Sequence, residues 1–541
     1  MKRNWFKYVG VITIIFMLLI SSACSSDEAS SSTGKNSTGE PKKGGTVTSP
    51  IVGDPIFNPW HPNAYAESNV VNRIIFSGLT KPGKDNAPSP SLATEWSASE
   101  DGLVWTFKLR EGVKWHDGEP FTAEDVAFTF NDIVLNKELG SNGASNYKAV
   151  DNVKVVNDHI VEFHLKNPWA ALPAYLGFNS EIIPKHKFEG QNPWELTSFN
   201  KEKPVGTGPF KVGTYISGQS VELIPNEDFF GGAPHLDKFV YKILAEKNTH
   251  VAQALSNELD IFVLEDKASL ERIKQSKNLE VLPSDANRYF WISLNQENPM
   301  FTDLKVRQAF LHAIDRQAII DSVLKGFGKI ADAAITPQLS TYYTDDVKRY
   351  DYDPAKAKAL FEEAGWKDSN GDGILDKDGK PFKFEFDIGI QGDLEPIAQM
   401  VQQYLKEVGL DVKLNTLEWN AMIQKNIIER DFDMILNWWA YPADPDVYAQ
   451  YHSSNAGKGN NIPGYKDAKL DELLVKGQQT SDPAARGEVY KEMQQYMAEN
   501  LPYLYLWYPE EIQIRNKKLK GVPDMYFGGA LHYVNEWYIQ Q

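Results

Sequence analysis

The sequence predicts an α/β fold that is divided into several domains. Segments with apolar residues at strand spacing alternate along the chain with segments that have apolar residues at helical spacing. The chain has 541 residues, which is too long for one hydrophobic core and corresponds to about three domains. Hydrophobic residues make up 42% and aromatic residues 12% of the sequence, so several cores can be filled.

The first residues have the layout of a secretory signal. Three basic residues within the first seven positions precede an apolar run over residues 9–20, and the small residues 21–23 follow. The run is shorter than the roughly 20 residues that span a bilayer. We therefore predict a signal peptide over residues 1–23 and a body that is exported from the cytoplasm.

Cys24 directly follows this segment and is the only cysteine in the chain, so it has no disulfide partner. Residues 21–24 resemble the lipobox of bacterial lipoproteins, which implies cleavage before Cys24 and its lipidation, with palmitate among the acyl chains. Two acyl chains hold a protein stably at a membrane. The alternative is an ordinary signal peptide with a chance cysteine. Residues 24–44 are polar and without periodicity, which predicts a Ser-rich tether.

Composition excludes other classes of function. The net charge of −17 argues against nucleic-acid binding, which requires a basic surface. Past the signal, no apolar run reaches membrane-spanning length. The 14 tryptophans and 24 tyrosines fill cores for the most part, and an excess of them is typical of ligand clefts.

Elements of the first half follow from periodicity and turn residues. The spacing of apolar residues predicts a strand over 46–51 and a helix over 66–76. The loop at 57–62 is either a ligand contact or a loop held by its own aromatic residues. Further strands are predicted at 105–109, at Val113 and Trp115, and at 210–212, 221–224, 239–244 and 259–264, with a helix at 249–259.

Two local signals in this half are more specific. Thr122 and Asp125 form a helix-start box, and the apolar residues Val126, Phe130 and Val134 follow on one helix face. Gly206, Gly208 and Pro209 predict a sharp bend before a strand.

The second half repeats the alternation. We predict an aromatic strand over 287–295 and a buried strand over 432–438. The other predicted elements are helices at 303–324, 353–364, 394–408, 468–477 and 484–499, and strands at 412–417 and 503–508, before a tail at 521–541.

Residues 368–379 resemble a calcium-binding loop. Candidate ligands are Asp368, Asn370, Asp372, Asp376 and the main chain of Ile374. Position 12 is a glycine instead of the usual glutamate. The alternatives are a structural calcium ion and a tight Asp/Gly turn.

Three blocks carry a resemblance to a known family. Residues 92–126, 204–211 and 301–316 are similar to bacterial extracellular solute-binding proteins of family 5, the peptide, dipeptide and nickel receptors of ABC importers. The resemblance implies the three-domain periplasmic-binding-protein fold, with two lobes, hinge strands, a ligand cleft between the lobes and an inserted extra domain. We expect lobe I at 45–90, 200–290 and 510–541, the inserted domain at 91–199, and lobe II at 291–509.

The resemblance also implies the function. We expect a protein that is not an enzyme, requires no cofactor, captures oligopeptides and delivers them to ABC permease subunits with their cytoplasmic ATPases. It would be a monomer on the extracytoplasmic face of the membrane, which it contacts through the lipid anchor alone. Oligosaccharide, nickel and haem stay open as cargo, and a surface hydrolase is a remote alternative. Paired tryptophans are suited to stacking on sugar rings. The sequence has no histidine cluster, which would favour nickel.

The run at 437–446 is the strongest candidate ligand site, because ligands of α/β folds favour the ends of strands; core packing is the alternative. In peptide-binding relatives an aspartate after the tryptophan pairs with the ligand's amino terminus. Here that position holds Tyr441 or Pro442, with Asp444 nearby. Our candidate ligand contacts are Asp54, Asn58, Trp60, Trp291, Asn295, Trp419, Asn437, Trp438, Trp439, Tyr441 and Asp444.

Overall fold

The computed structural model describes residues 42–440, 442–457 and 459–540. The predicted signal peptide, Cys24, most of the predicted tether and Tyr441 lie outside these residues. From Lys42 onward the chain forms one compact unit. Within the described ranges, no helix combines the length and the apolar character needed to cross a membrane.

Strands and helices alternate along the whole body, as predicted. The strands are β1 Thr46–Ile51, β2 Thr80–Pro82, β3 Pro88–Pro90, β4 Ala93–Ala98, β5 Val104–Leu109, β6 Val150–Asn157, β7 Ile160–Leu165, β8 Phe210–Ile216, β9 Ser220–Pro225, β10 Lys238–Ile243, β11 Ile261–Val263, β12 Leu279–Asp285, β13 Arg288–Leu294, β14 Gly328–Ile330, β15 Asp376–Lys377, β16 Lys380–Pro381, β17 Lys383–Gly389, β18 Asp411–Leu417, β19 Met434–Ala440, β20 Leu504–Asn516, β21 Leu519–Lys520 and β22 Tyr538–Ile539.

The helices vary from a single turn to five turns. They are α1 Ala66–Ile75, α2 Ala123–Phe128, α3 Leu172–Tyr175, α4 Lys185–Phe188, α5 Thr197–Lys201, α6 Asn248–Leu255, α7 Leu270–Lys274, α8 Leu304–Ala313, α9 Arg316–Ser322, α10 Pro354–Glu363, α11 Leu394–Glu407, α12 Trp419–Met422, α13 Tyr448–Tyr451, α14 Ala468–Gln479, α15 Pro483–Asn500 and α16 Phe527–Ala530. Two π-helical segments, Thr129–Val134 and Ile423–Ile428, continue α2 and α12.

Three sheets organise the body. The first has the order β1-β10-β9-β8, and the second, fully antiparallel, has the order β4-β5-β7-β6. The third follows β11-β20-β13-β19-β17-β18, with β12 and β14 also paired to β20. Strand β20 is therefore the common partner of four strands.

The buried side chains fall into separate cores. One core collects side chains from residues 47–261 and 519–537, around the first two sheets. Two more, drawn from residues 289–508, lie on the two faces of the third sheet. A smaller core packs around β12 and the second half of β20. The boundaries of the expected lobes and inserted domain stay predictions.

Local patterns located many elements within a few residues but did not predict β4, β6, β7, β12 and β17. The alternation in β5 buries Trp105, Phe107 and Leu109, and a capping box starts α2, where the Asp125 carboxylate accepts the Thr122 N–H at 3.0 Å. Alternating burial therefore explains β5, and side-chain capping explains where α2 begins.

Two predicted elements differ in the structure. The run with Val113 and Trp115 is reduced to a single antiparallel bridge between Lys114 and Pro120, because Gly112 and Gly118, with φ angles of 73° and 94°, turn the chain on either side. The helix predicted over 303–324 is two helices. Ile314 is extended, and the Asp315 side chain accepts the N–H of Ala318 at 2.8 Å to cap α9.

Candidate functional site

The parallel strands of the third sheet end together at one edge, which is the candidate ligand site. Strands β17, β18 and β19 are parallel to one another, so their carboxyl ends meet at the same edge. Strand β20 passes this edge: its first half pairs with β13 and its second half with β12. Ligands of α/β proteins bind outside the carboxyl ends of strands, and this edge lies where the chain crosses from one core to the other.

Two predicted contacts, Trp419 and Trp438, meet at this edge. Trp419 opens α12 after β18, and Trp438 lies near the end of β19. Their indole rings are nearly parallel, 17° apart, with centroids separated by 6.4 Å. Both are half-buried. Gly389, at the end of β17, makes room for the stack, because a Cβ there would lie 2.6 Å from the Trp419 ring.

Trp439 lies on the opposite face of the sheet from Trp438, because successive residues of a strand alternate. Its ring packs 5.6 Å from that of Trp291, which in turn lies 4.9 Å from the Tyr503 ring. Trp291 is fully buried, and Asn437 lies opposite it in the β13–β19 register. The tryptophan pair that the sequence placed in one site is thus divided between two faces.

Asp444 is a buried ion-pair partner. Arg486 donates from both terminal nitrogens to the two carboxylate oxygens, one of them at 2.8 Å. Burial opposes the charge of Arg486, but Asp444 raises its pKa well above the ordinary value. The rings of Tyr342 and Tyr490 lie 5.4 and 5.1 Å from the guanidinium. Asp444 is therefore neutralised within the body.

Asp446 connects two cores, and sequence reasoning missed it. Its carboxylate accepts hydrogen bonds from Trp169 Nε1 and Gln478 Nε2, both at 3.1 Å. The Ala170 N–H also donates to the Gln478 carbonyl at 2.8 Å. Burial, together with the charge of Asp444, raises the pKa of Asp446. The only sequence signal for Asp446 was the Asp-Pro-Asp run at 444–446, which gives no information about its hydrogen-bond partners.

Four predicted contacts lie elsewhere. Asp54 closes the β8–β9 hairpin by accepting from Tyr215, Ser217 and the Gly218 N–H, each at 2.8 Å. Burial raises its pKa, but these hydrogen bonds lower it more.

Asn58, Trp60 and Asn295 make hydrogen bonds within the protein. Trp60 is buried and donates from Nε1 to the Glu181 carbonyl at 2.9 Å. Asn58 accepts the Trp60 N–H at 3.1 Å. Asn295 donates to the Phe432 carbonyl at 2.9 Å. Asn58 and Trp60 are buried and Asn295 is half-buried, so these hydrogen bonds account for all three side chains.

The sequence analysis also missed two arginines near the part of β20 that passes from one core to the next. Arg288 begins β13 and lies opposite Ala440 at the end of β19. Arg73 donates to Asn179 Oδ1 at 2.8 Å. The Nε atom of each is buried without a hydrogen-bond partner. Burial raises the pKa of Glu511 on β20, although the positive charges of Arg288 and Arg73 lower it. No periodicity distinguishes such arginines from surface ones.

The Asp/Gly loop is held by its own main chain. Asp368 accepts from the N–H groups of Gly371 and Gly373 at 2.7 and 3.0 Å, and Asp372 accepts from Ile374 at 2.8 Å. Across the described residues, no three His, Cys, Asp or Glu side chains converge as a metal site requires. These contacts explain the turn by themselves, and calcium binding stays a prediction.

Separate cores that are joined by paired strands, with strand ends meeting near the crossing, are the architecture of a two-lobed binding protein. The family model for bacterial extracellular solute-binding proteins, family 5 (middle), matches residues 87–460. The chain belongs to this family, and its fold is the three-domain periplasmic-binding-protein fold.

Individual relatives cover nearly the whole chain. The oligopeptide-binding protein AppA of Bacillus subtilis (strain 168) is 35% identical over 529 residues, 96% of each chain. The solved structure of AppA with a nonapeptide has a TM-score of 0.75 at 34% identity and covers 93% of this chain and 100% of its own. NikZ from Campylobacter jejuni, solved with Ni(L-His), has a TM-score of 0.74 at 28% identity, with coverage of 92% and 99%.

Proposed function

We propose that this protein is the lipid-anchored substrate-binding protein of an ABC importer, which captures oligopeptides between its lobes and hands them to a membrane permease. It binds its cargo without cleaving it and acts as a monomer. The observation that carries the proposal is the similarity to AppA, which extends over 96% of both chains. The AppA structure that this chain resembles contains a nonapeptide.

The sheet edge is suited to binding an extended peptide. The stacked Trp419 and Trp438 rings offer an apolar face to side chains, while main-chain groups of an extended peptide supply hydrogen bonds that do not depend on sequence. Arg288 and Arg73 make no ion pair within 4 Å in the described part of the chain, so each is a candidate partner for a peptide carboxylate. Because Asp444 is bound by Arg486, capture of the peptide's amino terminus by that side chain is not part of the proposal.

Isothermal titration with peptides of graded length tests the cargo. We expect binding of oligopeptides and no turnover of the bound peptide. Trp438→Ala should weaken binding about tenfold, since an aromatic contact contributes about 0.5–1.5 kcal/mol beyond its buried area. The matched control is Trp96→Ala, which removes a half-buried indole that stacks on Phe107 in the second sheet. Binding of a sugar oligomer without peptide binding, or hydrolysis of the peptide, would refute the proposal.

A nickel–histidine complex is the second candidate cargo, because NikZ resembles this chain over 92% of its length. The described residues bring no three metal-ligating side chains together, so histidine would have to supply much of the coordination. A parallel titration with Ni(L-His) distinguishes the two: binding of that complex alone would favour the nickel receptor.

Anchoring through Cys24 is a separate part of the proposal. Cys24→Ser removes the acyl attachment site, so we expect the protein to move from the membrane fraction into the medium. Ser26→Ala, in the same polar segment, is the control and should leave the protein with the cells. Retention of the Cys24→Ser variant on cells would count against lipidation.

A further inference from the structure

A second concave site lies far along the sequence from the tryptophan stack, beside the start of β1. The pocket has a volume of about 500 Å³, and Gly45 and Thr46 form one of its walls. Turns before β12 and after β20 form the others. Its polar lining comes mainly from Lys277, Lys517, Lys518, Asn257, Asn278 and Asn516.

The lysines of this pocket lack acidic partners. Nearby cations are paired: Lys242 with Glu258 at 3.1 Å, and Arg515 with Glu280 at 2.8 Å. Lys277, Lys517 and Lys518 are exposed and take part in no ion pair of the described residues. Three ammonium groups without an acidic partner thus surround one pocket in a chain with a net charge of −17.

The carboxylate in the pocket wall is already engaged. Asp260 accepts the Thr48 N–H at 2.9 Å and Asn516 Nδ2 at 3.3 Å. Burial raises its pKa, although both hydrogen bonds lower it. Lys517 Nζ donates to the Lys277 carbonyl at 2.9 Å, which ties two walls together. The Asn278 amide likewise donates to Asn257 Oδ1 at 2.9 Å. The pocket therefore presents the positive charge of its lysines, and lysine ammonium groups bind phosphate.

The position of the pocket indicates the source of the phosphate. The chain enters the compact unit at Lys42, only three residues before Gly45 in the pocket wall. Its distance from the bilayer rests on the proposed anchor at Cys24. A Ser-rich segment of about 20 residues, as predicted for 24–44, has a mean reach on the order of 25 Å, which would keep an anchored body near the bilayer. Each lysine close to an anionic surface strengthens binding by about fivefold.

We propose that this pocket docks the phosphate of an anionic lipid headgroup and so holds one face of the body against the membrane. Contact with the bilayer would then involve the lysine pocket as well as the lipid anchor. The docking is independent of the peptide crevice, and an unlipidated chain retains it.

Co-sedimentation with vesicles tests the proposal. The chain from residue 24 onward, with Cys24→Ser, is mixed with phosphatidylcholine vesicles with and without phosphatidylglycerol, at about 0.1 M salt, where the Debye length is about 10 Å. We expect binding to the anionic vesicles only. Removing the three lysines together (K277Q, K517Q and K518Q) should lower this binding on the order of a hundredfold.

The matched control removes three exposed lysines that also make no ion pair, with K137Q, K154Q and K203Q. It changes the net charge equally and should keep the vesicle binding, and both triple variants should keep the peptide affinity and the unfolding temperature. Equal losses in the two variants, or no vesicle binding by the parent chain, would overturn the proposal. Calorimetric binding of inorganic phosphate without vesicle binding would assign the pocket to the free anion and overturn it too.

Discussion

At the scale of single residues, burial decides how much an ion pair contributes to stability. Asp444 and Arg486 are both almost fully buried and satisfy each other through two parallel hydrogen bonds. Arg349 and Asp345, by contrast, lie 3.8 Å apart and are exposed. A charge left alone in the interior is costly, whereas an exposed one is solvated. The two pairs should therefore differ widely in what they contribute to stability.

Arg486→Ala should lower the free energy of unfolding by about 3–5 kcal/mol, because it leaves the Asp444 carboxylate buried and unpaired. Arg349→Ala is the matched control and should cost about 0–1 kcal/mol. Urea denaturation followed by fluorescence measures both. Similar losses in the two variants would contradict the assignment of the buried pair.

At the scale of elements, the loop at 204–209 shows why its glycines are there. The sequence predicts a sharp bend, and the structure adds a close approach. A Cβ on Gly206 or Gly208 would clash with the main chain at the end of α1. The Gly208 N–H donates to the Ile75 carbonyl at 2.8 Å. From the other side, His116 accepts the Gly206 N–H at 3.2 Å and donates from Nε2 to the Gly208 carbonyl at 3.0 Å.

This clamp requires a neutral imidazole. Burial lowers the pKa of His116 from 6.5 to about 4, although the Gly208 carbonyl raises it. The folded state thus binds the proton more weakly than the unfolded state. The stability that His116 contributes is complete above pH 6.5 and is lost as the pH falls toward 4, by at most about 3 kcal/mol.

His116→Gln removes this titration, so between pH 7 and about pH 4 it should lose less stability than the parent chain. Chemical denaturation at several pH values measures the difference. His159→Gln, in the turn between β6 and β7, is the matched histidine-to-glutamine substitution. Parallel curves for the parent chain and His116→Gln would contradict the role of His116.

At the scale of the whole molecule, a few contacts far apart in sequence join the cores. Trp169 donates to Asp446 across the two regions, and Lys267 pairs with Asp393 at 3.2 Å. Strands β12, β13 and β20 carry the chain between the cores side by side. Hinge motion about such strands opens and closes a crevice, and contacts that exist only in the closed form set the balance.

Trp169→Phe should shift the protein toward the open form, because it deletes the Nε1 donor and keeps an aromatic ring. A hydrogen bond to a carboxylate contributes about 1.5–3 kcal/mol, so we expect peptide affinity to fall about tenfold or more and the radius of gyration of the free protein to rise. Small-angle scattering and calorimetry measure these effects.

The control for this experiment is Trp194→Phe, which deletes an indole N–H that donates to the Leu139 carbonyl at 2.9 Å within the same predicted domain. It should leave both quantities near those of the parent chain. Equal behaviour of the two variants would show that the Trp169 contact does not hold the cores together.

The sequence by itself determined the α/β class, many of the strands and helices, and the family, because each depends on patterns over neighbouring residues. Periodicity located β5, β13 and β19, and the three family blocks lie in continuous stretches. The signal peptide and Cys24 also form a local pattern, and cleavage and lipidation at this site stay predictions.

Only the tertiary structure decided which candidate side chains meet. Sequence spacing put Trp438 and Trp439 in one site, yet the pleat sends them to opposite faces, where Trp438 meets Trp419 and Trp439 meets Trp291. Asp444 pairs with Arg486, at a sequence separation of 42 residues. Asp446 accepts a hydrogen bond from Trp169, at a separation of 277 residues. Such pairings depend on how strands and helices are arranged in space, and local periodicity carries no information about that arrangement.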